Sequence, residues 1–241
     1  MNTTRISIIM PAYNEAAHLP ALLDSIDVAR ARYAGDVEAI VADNGSTDAT
    51  AAIARERGCV VAPVEKRAIA AARNGGAALA TGEVLAFIDS DSRIHRETFN
   101  AIAQALARPD VIVGATGVVP SRWSAGIWTT WAVMTPMTWL AGVDAGVVFC
   151  RRADFHAVGG YDENLLCAED VKFLFAMKKF GRTRGMRFHR PASVRAITST
   201  RKFDKLGDWH FLLQMPVVGW RVLFNAKKNE EYVKRYWYED R

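Results

Sequence analysis

Residues Glu83 to His95 read EVLAFIDSDSRIH, and this run carries an apolar strand directly into two carboxylates one residue apart. Leu85, Ala86, Phe87 and Ile88 make a short unbroken apolar stretch, the pattern of a strand covered on both faces. Asp89 and Asp91 stand at its end. Two negative charges aimed at one small volume are costly unless something neutralises them. Either the pair lies in a solvated turn that caps the next helix, or a divalent cation, Mg2+ or Mn2+, belongs there. Such a cation is held by few carboxylates and completed by substrate phosphates and water.

The same alternation recurs on both sides of this stretch. RISIIMPAY (Arg5–Tyr13), VEAIVAD (Val37–Asp43), CVVAPV (Cys59–Val64) and DVIVGAT (Asp110–Thr116) read as further strands. Between them lie helical segments. In Asn14–Tyr33, Leu19, Leu22, Leu23 and Ile26 recur at helical spacing, with Asn14 as the expected N-cap. Asn44–Cys59 is a turn and then a helix, with Ser46, Thr47 or Asp48 as cap and Gly58 as stop. An Ala-rich helix runs from Ile69 to Gly82, and Arg96–Pro109 is a helix stopped before Pro109. Apolar strands alternating with helices predict an α/β fold, a mostly parallel, Rossmann-like sheet with helices on both faces. Ligands of such sheets bind beyond the carboxyl ends of the strands. Tyr13, Asp43, Asp89 and Asp91 would then share one rim.

With 241 residues, half of them hydrophobic and a quarter charged, the chain has ordinary globular composition and length for one large core. A formal net charge of +5 suits a polyanionic substrate or an acidic membrane surface without selecting either. Cys59, Cys150 and Cys167 show no zinc spacing and no disulfide framework, which points to reduced structural thiols. The start, MNTTRISIIMPAYNE, reads as a first strand rather than a secretory segment. From Trp123 to Val143 there is no charge, although six Ser, Thr or Pro residues interrupt the run. Among the histidines, His189 is a candidate third metal ligand, against the plainer reading that none shows ligand spacing.

Six motifs then occur in order: PAYNE (Pro11–Glu15), VADNGSTDAT (Val41–Thr50), AARNGG (Ala71–Gly76), FIDSDS (Phe87–Ser92), GGYDE (Gly159–Glu163) and AEDVKFLFAMKKFG (Ala168–Gly181). Together they resemble the family 2 glycosyltransferases of the GT-A fold, small bacterial members in particular, over about Arg5 to Arg201. The resemblance implies donor-side roles for Pro11, Tyr13, Glu15 and Asp43, and sets Arg73 beside the nucleotide base. It implies that Asp91 holds the metal, with Asp89 on the metal or the ribose. It makes Asp170 the general base, supported by Glu169; alone, those two residues would read as a helix cap and a dipole-friendly first turn. GVDAGVVFCRR (Gly142–Arg152) resembles an acceptor-facing segment, so Asp144 is an acceptor contact or a turn residue, and Trp139 joins the acceptor side. TSTRK (Thr198–Lys202) offers Arg201 or Lys202 to the diphosphate, or else forms a solvated basic loop. Two positions depart from the family pattern: Ala68 stands where glycine is frequent, and Asn44 where a second aspartate is frequent.

The resemblance implies inverting, metal-dependent transfer of a sugar from a nucleoside diphosphate sugar, UDP first among them, to a hydroxyl acceptor that is lipid-linked or part of a cell-envelope glycan. One catalytic domain is expected, with a nucleotide-sugar half (1–119), an acceptor and catalytic half (120–205) and a helical tail (206–241). A membrane crossing at Trp123–Val143 would separate Asp91 from Asp170. A cytoplasmic enzyme touching the inner face of the membrane fits the segment better. The rivals are a phosphatase with Asp89 as nucleophile, and a non-enzymatic basic module resting on the tail RVLFNAKKNEEYVKRYWYEDR (Arg221–Arg241). No nucleic-acid partner is expected, because acidic residues dilute that tail.

Overall fold

The computed structural model describes residues 4–165 and 168–213. In chain order the elements are β1 (Ile6–Ala12), α1 (Leu19–Arg30), β2 (Val37–Asp43), α2 (Thr50–Glu56), β3 (Val60–Pro63), α3 (Ile69–Leu79), β4 (Val84–Phe87) and α4 (Thr98–Leu106). There follow β5 (Val111–Ala115), β6 (Val118–Pro120), α5 (Ala125–Ala141), β7 (Val148–Arg151), α6 (Arg152–Val158), α7 (Glu169–Arg182), β8 (Arg187–His189), β9 (Ala196–Thr198) and α8 (Arg201–Leu206).

Seven strands form one sheet in the order β3-β2-β1-β4-β7-β5-β8, and β6 pairs with β9 apart from it. β1, β2, β3 and β4 are parallel, β5 is parallel to β8, and β7 runs antiparallel to both β4 and β5. The fold is therefore the expected mostly parallel α/β sheet. Side chains of β1 alternate between its faces, as a period of two requires. Ile6, Ile8 and Met10 belong to one buried cluster with Leu22 of α1, Ala54 of α2 and Phe99 of α4, while Ile9 belongs to a second with Ala70 of α3, Phe155 of α6 and Phe173 of α7. Each fully buried Ile or Phe contributes about 1.5–3 kcal/mol of transfer free energy. The sheet is thus anchored on both faces, and its strand ends are fixed in position.

Pro11 is buried in β1, a central strand, although it cannot donate a ladder hydrogen bond. The last β1–β4 pair is Ile9 with Phe87, so Pro11 comes after β4 has left that edge. Asn14 does not cap α1. It takes a left-handed φ of 51°, which Asn tolerates better than most residues, and α1 begins five residues later, behind His18 and with Pro20 in its first turn. The start of α2 lies behind Ala49, but Asp48 still serves it, accepting from the Thr50 amide at 2.9 Å. Gly58 ends that helix as expected, with φ 71°. The Ala-rich helix stops at Leu79, and Ala80 is already extended.

The chain divides into two compact units. One joins the residues up to Val119 with Val143–Thr198, and the other joins Pro120–Gly142 with the described residues from Ser199 onward. Residues 120–205, read as one half from the sequence, are shared between them: β7, α7 and β8 belong to the large sheet and its cover. In the second unit α5 is capped by Ser124, whose Oγ accepts from the Ile127 amide at 3.2 Å, and ends at Gly142. Arg122 there pairs with Asp204 and Asp208, each at 2.6 Å. No described helix is long and apolar enough to cross a membrane. The tail Arg221–Arg241 lies outside the described residues, as does Cys167.

Candidate active site

The strand ends of the large sheet bring most of the expected residues to one rim. Ala12 of β1 pairs with Asp43 of β2, so Tyr13 and the residues after Asp43 leave the sheet side by side. The two loops are then stitched together. The Asn14 amide donates to Ser46 Oγ at 3.0 Å, and the Thr47 amide donates to Asn14 Oδ1 at 2.8 Å. The buried Glu15 donates its amide to Thr50 Oγ1 at 2.8 Å, and the Ala16 amide reaches Asp48 Oδ2 at 3.1 Å. Asp43 accepts from the Ser46 amide at 3.1 Å, which orients its carboxylate.

Both departures from the family pattern have a local reason. Asn44 is buried and donates from Nδ2 to the carbonyls of Val64 and Lys66, at 3.0 and 2.7 Å. An aspartate has no hydrogen to give to either carbonyl. Ala68 is extended, with φ −153° and ψ 137°, a conformation any residue adopts. The loop that Asn44 holds carries Arg67, whose guanidinium carbon lies 3.3 Å from the centre of the Tyr13 ring. Sequence reading assigned the arginine beside the base to Arg73. In the structure Arg67 is the arginine stacked on Tyr13, and its only signal in the sequence is a place two residues before α3.

Arg73 projects from α3 into the interior instead. Its side chain is 11% exposed and donates from Nη1 to Glu169 Oε1 at 2.7 Å and from Nη2 to Asp89 Oδ1 at 3.0 Å. Below it lies Tyr161, with the guanidinium 5.1 Å from the ring centre. Burial opposes the Arg73 charge, but Asp89, Glu169 and Asp170 around it hold the guanidinium firmly protonated. Glu169 shows the complementary effect. Burial pushes its carboxyl above the usual range, and Arg73 offsets part of that rise.

Glu169 and Asp170 open α7 behind Ala168, a residue in the left-handed region (φ 56°) with no capping side chain. Asp170 is half-buried, and its Oδ1 accepts from the Val171 amide at 2.8 Å. Asp89 remains 62% exposed on its side chain and Asp91 is half-buried, so both stay within reach of a ligand. Among the described residues, no group of three or more His, Cys, Asp or Glu side chains is placed to hold a metal ion by itself. His189, on β8, is therefore not brought together with Asp89 and Asp91 as a third ligand. A donor set of one or two carboxylates suits Mg2+ or Mn2+, which leave positions for phosphate oxygens and water.

Asp144 is paired with Arg190, whose Nη2 also donates to the Val143 carbonyl at 3.0 Å. Trp139, on α5, and Arg201, at the start of α8, belong to the second unit.

The model of Glycosyl transferase family 2 matches residues 7–151. A PGL/p-HBAD biosynthesis glycosyltransferase of Mycobacterium bovis BCG is 31% identical over 176 residues, which are 67% of this chain and 65% of that protein. The 4,4'-diaponeurosporenoate glycosyltransferase of Staphylococcus haemolyticus is 38% identical over 119 residues, 44% of this chain and 29% of that one. The chain thus spans less than two thirds of the length of either relative. Among solved structures, S. aureus TarS 1-349 in complex with UDP aligns with a TM-score of 0.62 at 21% identity, covering 81% of this chain and 60% of that one. Glucosyl-3-phosphoglycerate synthase from Mycobacterium tuberculosis, in complex with Mn2+, UDP and glucosyl-3-phosphoglycerate, aligns with a TM-score of 0.60 at 21% identity, covering 85% and 75%. These likenesses establish the GT-A fold.

Proposed function

Because the chain belongs to glycosyl transferase family 2, we propose that it transfers a sugar, with inversion, from a nucleoside diphosphate sugar to a hydroxyl acceptor. The observation that carries this reading is the Arg73 guanidinium, which holds Asp89 after β4 and Glu169 at the start of α7 in one cluster. The carboxylate of the donor side and the helix that presents Asp170 are thereby kept within one substrate's reach.

Tyr13, Asp43 and Arg67 form the base side of the donor site, with Pro11 and Glu15 shaping the loop beneath them. A uracil ring stacks on aromatic and guanidinium planes, and a carboxylate such as Asp43 accepts its ring N–H. Asp91 and Asp89 hold Mn2+ or Mg2+, which when bound supplies charge neutralisation at the diphosphate. Asp170 accepts the acceptor's hydroxyl proton as that oxygen forms its bond to the anomeric carbon. The bond from that carbon to the diphosphate breaks, and the departing phosphate oxygen takes the electron pair. Arg201 is assigned to the departing diphosphate, and Trp139 and Asp144 to the acceptor. UDP is the favoured nucleotide, in line with the UDP held by the two structural neighbours named above.

The acceptor is read as lipid-linked or as a cell-envelope glycan, and the enzyme as cytoplasmic with a peripheral contact at the inner face of the membrane. In support, α5 carries no charge and exposes Trp128 by 64%, Trp139 by 65% and Leu140 by 90%. Exposed tryptophans of this kind favour a membrane–water interface. Carbonate or high-salt washing of membranes is expected to release the protein, whereas release by detergent alone contradicts a peripheral contact.

The test of function is a thermal-shift panel of nucleotide sugars, each with and without Mn2+. One nucleoside diphosphate sugar should stabilise the protein, and only when the cation is present. Phosphomonoester hydrolysis with no response to any sugar nucleotide would contradict the proposal and favour a phosphatase that uses Asp89.

A further inference from the structure

Asn74 is the residue after Arg73 on α3, and its side-chain amide is fully engaged. Nδ2 donates to the Tyr161 carbonyl at 2.8 Å and to Glu163 Oε1 at 2.9 Å, while Oδ1 accepts from the Tyr161 amide at 2.9 Å. Both backbone groups of Tyr161 are thus read by one side chain, as a neighbouring strand would read them. Gly160 makes the approach possible. It has φ 71°, and a Cβ there would lie 2.8 Å from Asn74 Oδ1.

The clamped residue leads to α7. Tyr161 is 2% exposed and stacks on Phe173 with ring centres 4.3 Å apart. Phe173 lies on α7, three residues after Asp170, so the placement of Tyr161 sets that of the first turn of α7. Consecutive residues of α3 therefore hold both ends of the segment leading into α7: Asn74 at Tyr161 and Glu163, Arg73 at Glu169. Their own frame is stiff, because α3 packs closely on the sheet. A Cβ at Gly76 would lie 2.5 Å from Ile9 Cγ2.

We propose that Asn74 is a positioning residue for Asp170: by clamping Tyr161 and Glu163 to α3, it fixes where α7 presents that carboxylate, without taking part in donor binding. The proposal rests on Asp170 being the general base. A carboxylate displaced by about 1 Å loses much of its alignment with the attacking hydroxyl, whereas the donor's contacts on β1, β2 and β4 are untouched.

The test compares Asn74→Ala, Glu163→Ala and Asp170→Asn with the parent chain. Hydrogen exchange is measured on the ligand-free proteins, and UDP binding and UDP release on the same proteins with UDP-glucose and Mn2+, water serving as acceptor. Asn74→Ala should raise amide exchange from Tyr161 into the first turn of α7 by about tenfold or more, with β1 and β4 unchanged. UDP release should fall by about tenfold or more while UDP affinity stays at the parental value. Glu163→Ala, which removes one of the three hydrogen bonds, should show the same pattern more weakly, and it decides the matter if Asn74→Ala does not fold. Unchanged exchange at the start of α7 overturns the proposal, as does a loss of UDP affinity in step with the rate. If the parent releases no UDP, the exchange result decides alone. Parental UDP release by Asp170→Asn would remove the base assignment itself, an outcome distinct from a failure of the Asn74 clamp.

Discussion

Arg73 and Glu169, 96 positions apart in the chain, meet at 2.7 Å with side chains only 11% and 9% exposed. Removing one member of such a pair strands the other as an uncompensated buried charge. Arg73→Ala is expected to lower stability by about 3 kcal/mol or more, measured by urea denaturation at neutral pH. It should also reduce activity, because Asp89 loses its 3.0 Å partner in the same step. A variant as stable as the parent would show that the pair is solvated and not part of a closed cluster.

Glu38 gives a pH-dependent expectation away from the site. Burial alone would raise its carboxyl, but hydrogen bonds from Ser7, Thr81 and Gly82 outweigh that and hold it below the ordinary value of 4.5. A lowered folded-state value means that Glu38 adds stability above its ordinary range and loses it as pH falls through the folded value. Glu38→Gln should therefore be less stable than the parent at neutral pH, with the gap narrowing on acidification below about 4.5. A gap that is constant with pH would mean that the charge contributes nothing.

Donor binding should depend on Asp91. Calorimetry with UDP is expected to show Mn2+-dependent affinity in the parent and loss of most of that dependence in Asp91→Asn, by about tenfold or more. Equal affinity and equal Mn2+ dependence in both proteins would remove Asp91 from the metal site.

Much of this architecture was legible in the sequence, for identifiable reasons. The apolar runs ending in Tyr13, Asp43 and Asp89 gave the strands, and parallel strands necessarily deliver their ends to one rim. Glu169 and Asp170 were placed by motif order. The contacts of Arg73 were not legible, because its partners depend on how β4 and α7 close around α3. Arg67 was missed for a similar reason: its stacking on Tyr13 requires a loop held by Asn44, a residue that looked only like a departure from pattern. Asn14 looked like a helix cap because Asn favours both caps and left-handed turns, and only the pairing of the β1 and β2 loops decides between them. Asn74 and Gly160 carried motif letters without partners, since spacing alone does not reveal a clamp between residues more than 80 positions apart.

The most direct test of the mechanism is turnover and nucleotide titration of Asp170→Asn with the donor that the thermal-shift panel selects. Asn keeps the size of Asp but cannot accept the hydroxyl proton, so turnover should fall by about 10²-fold or more with nucleotide affinity intact. Turnover at the parental rate would show that Asp170 only begins α7 and that the proton leaves by another group.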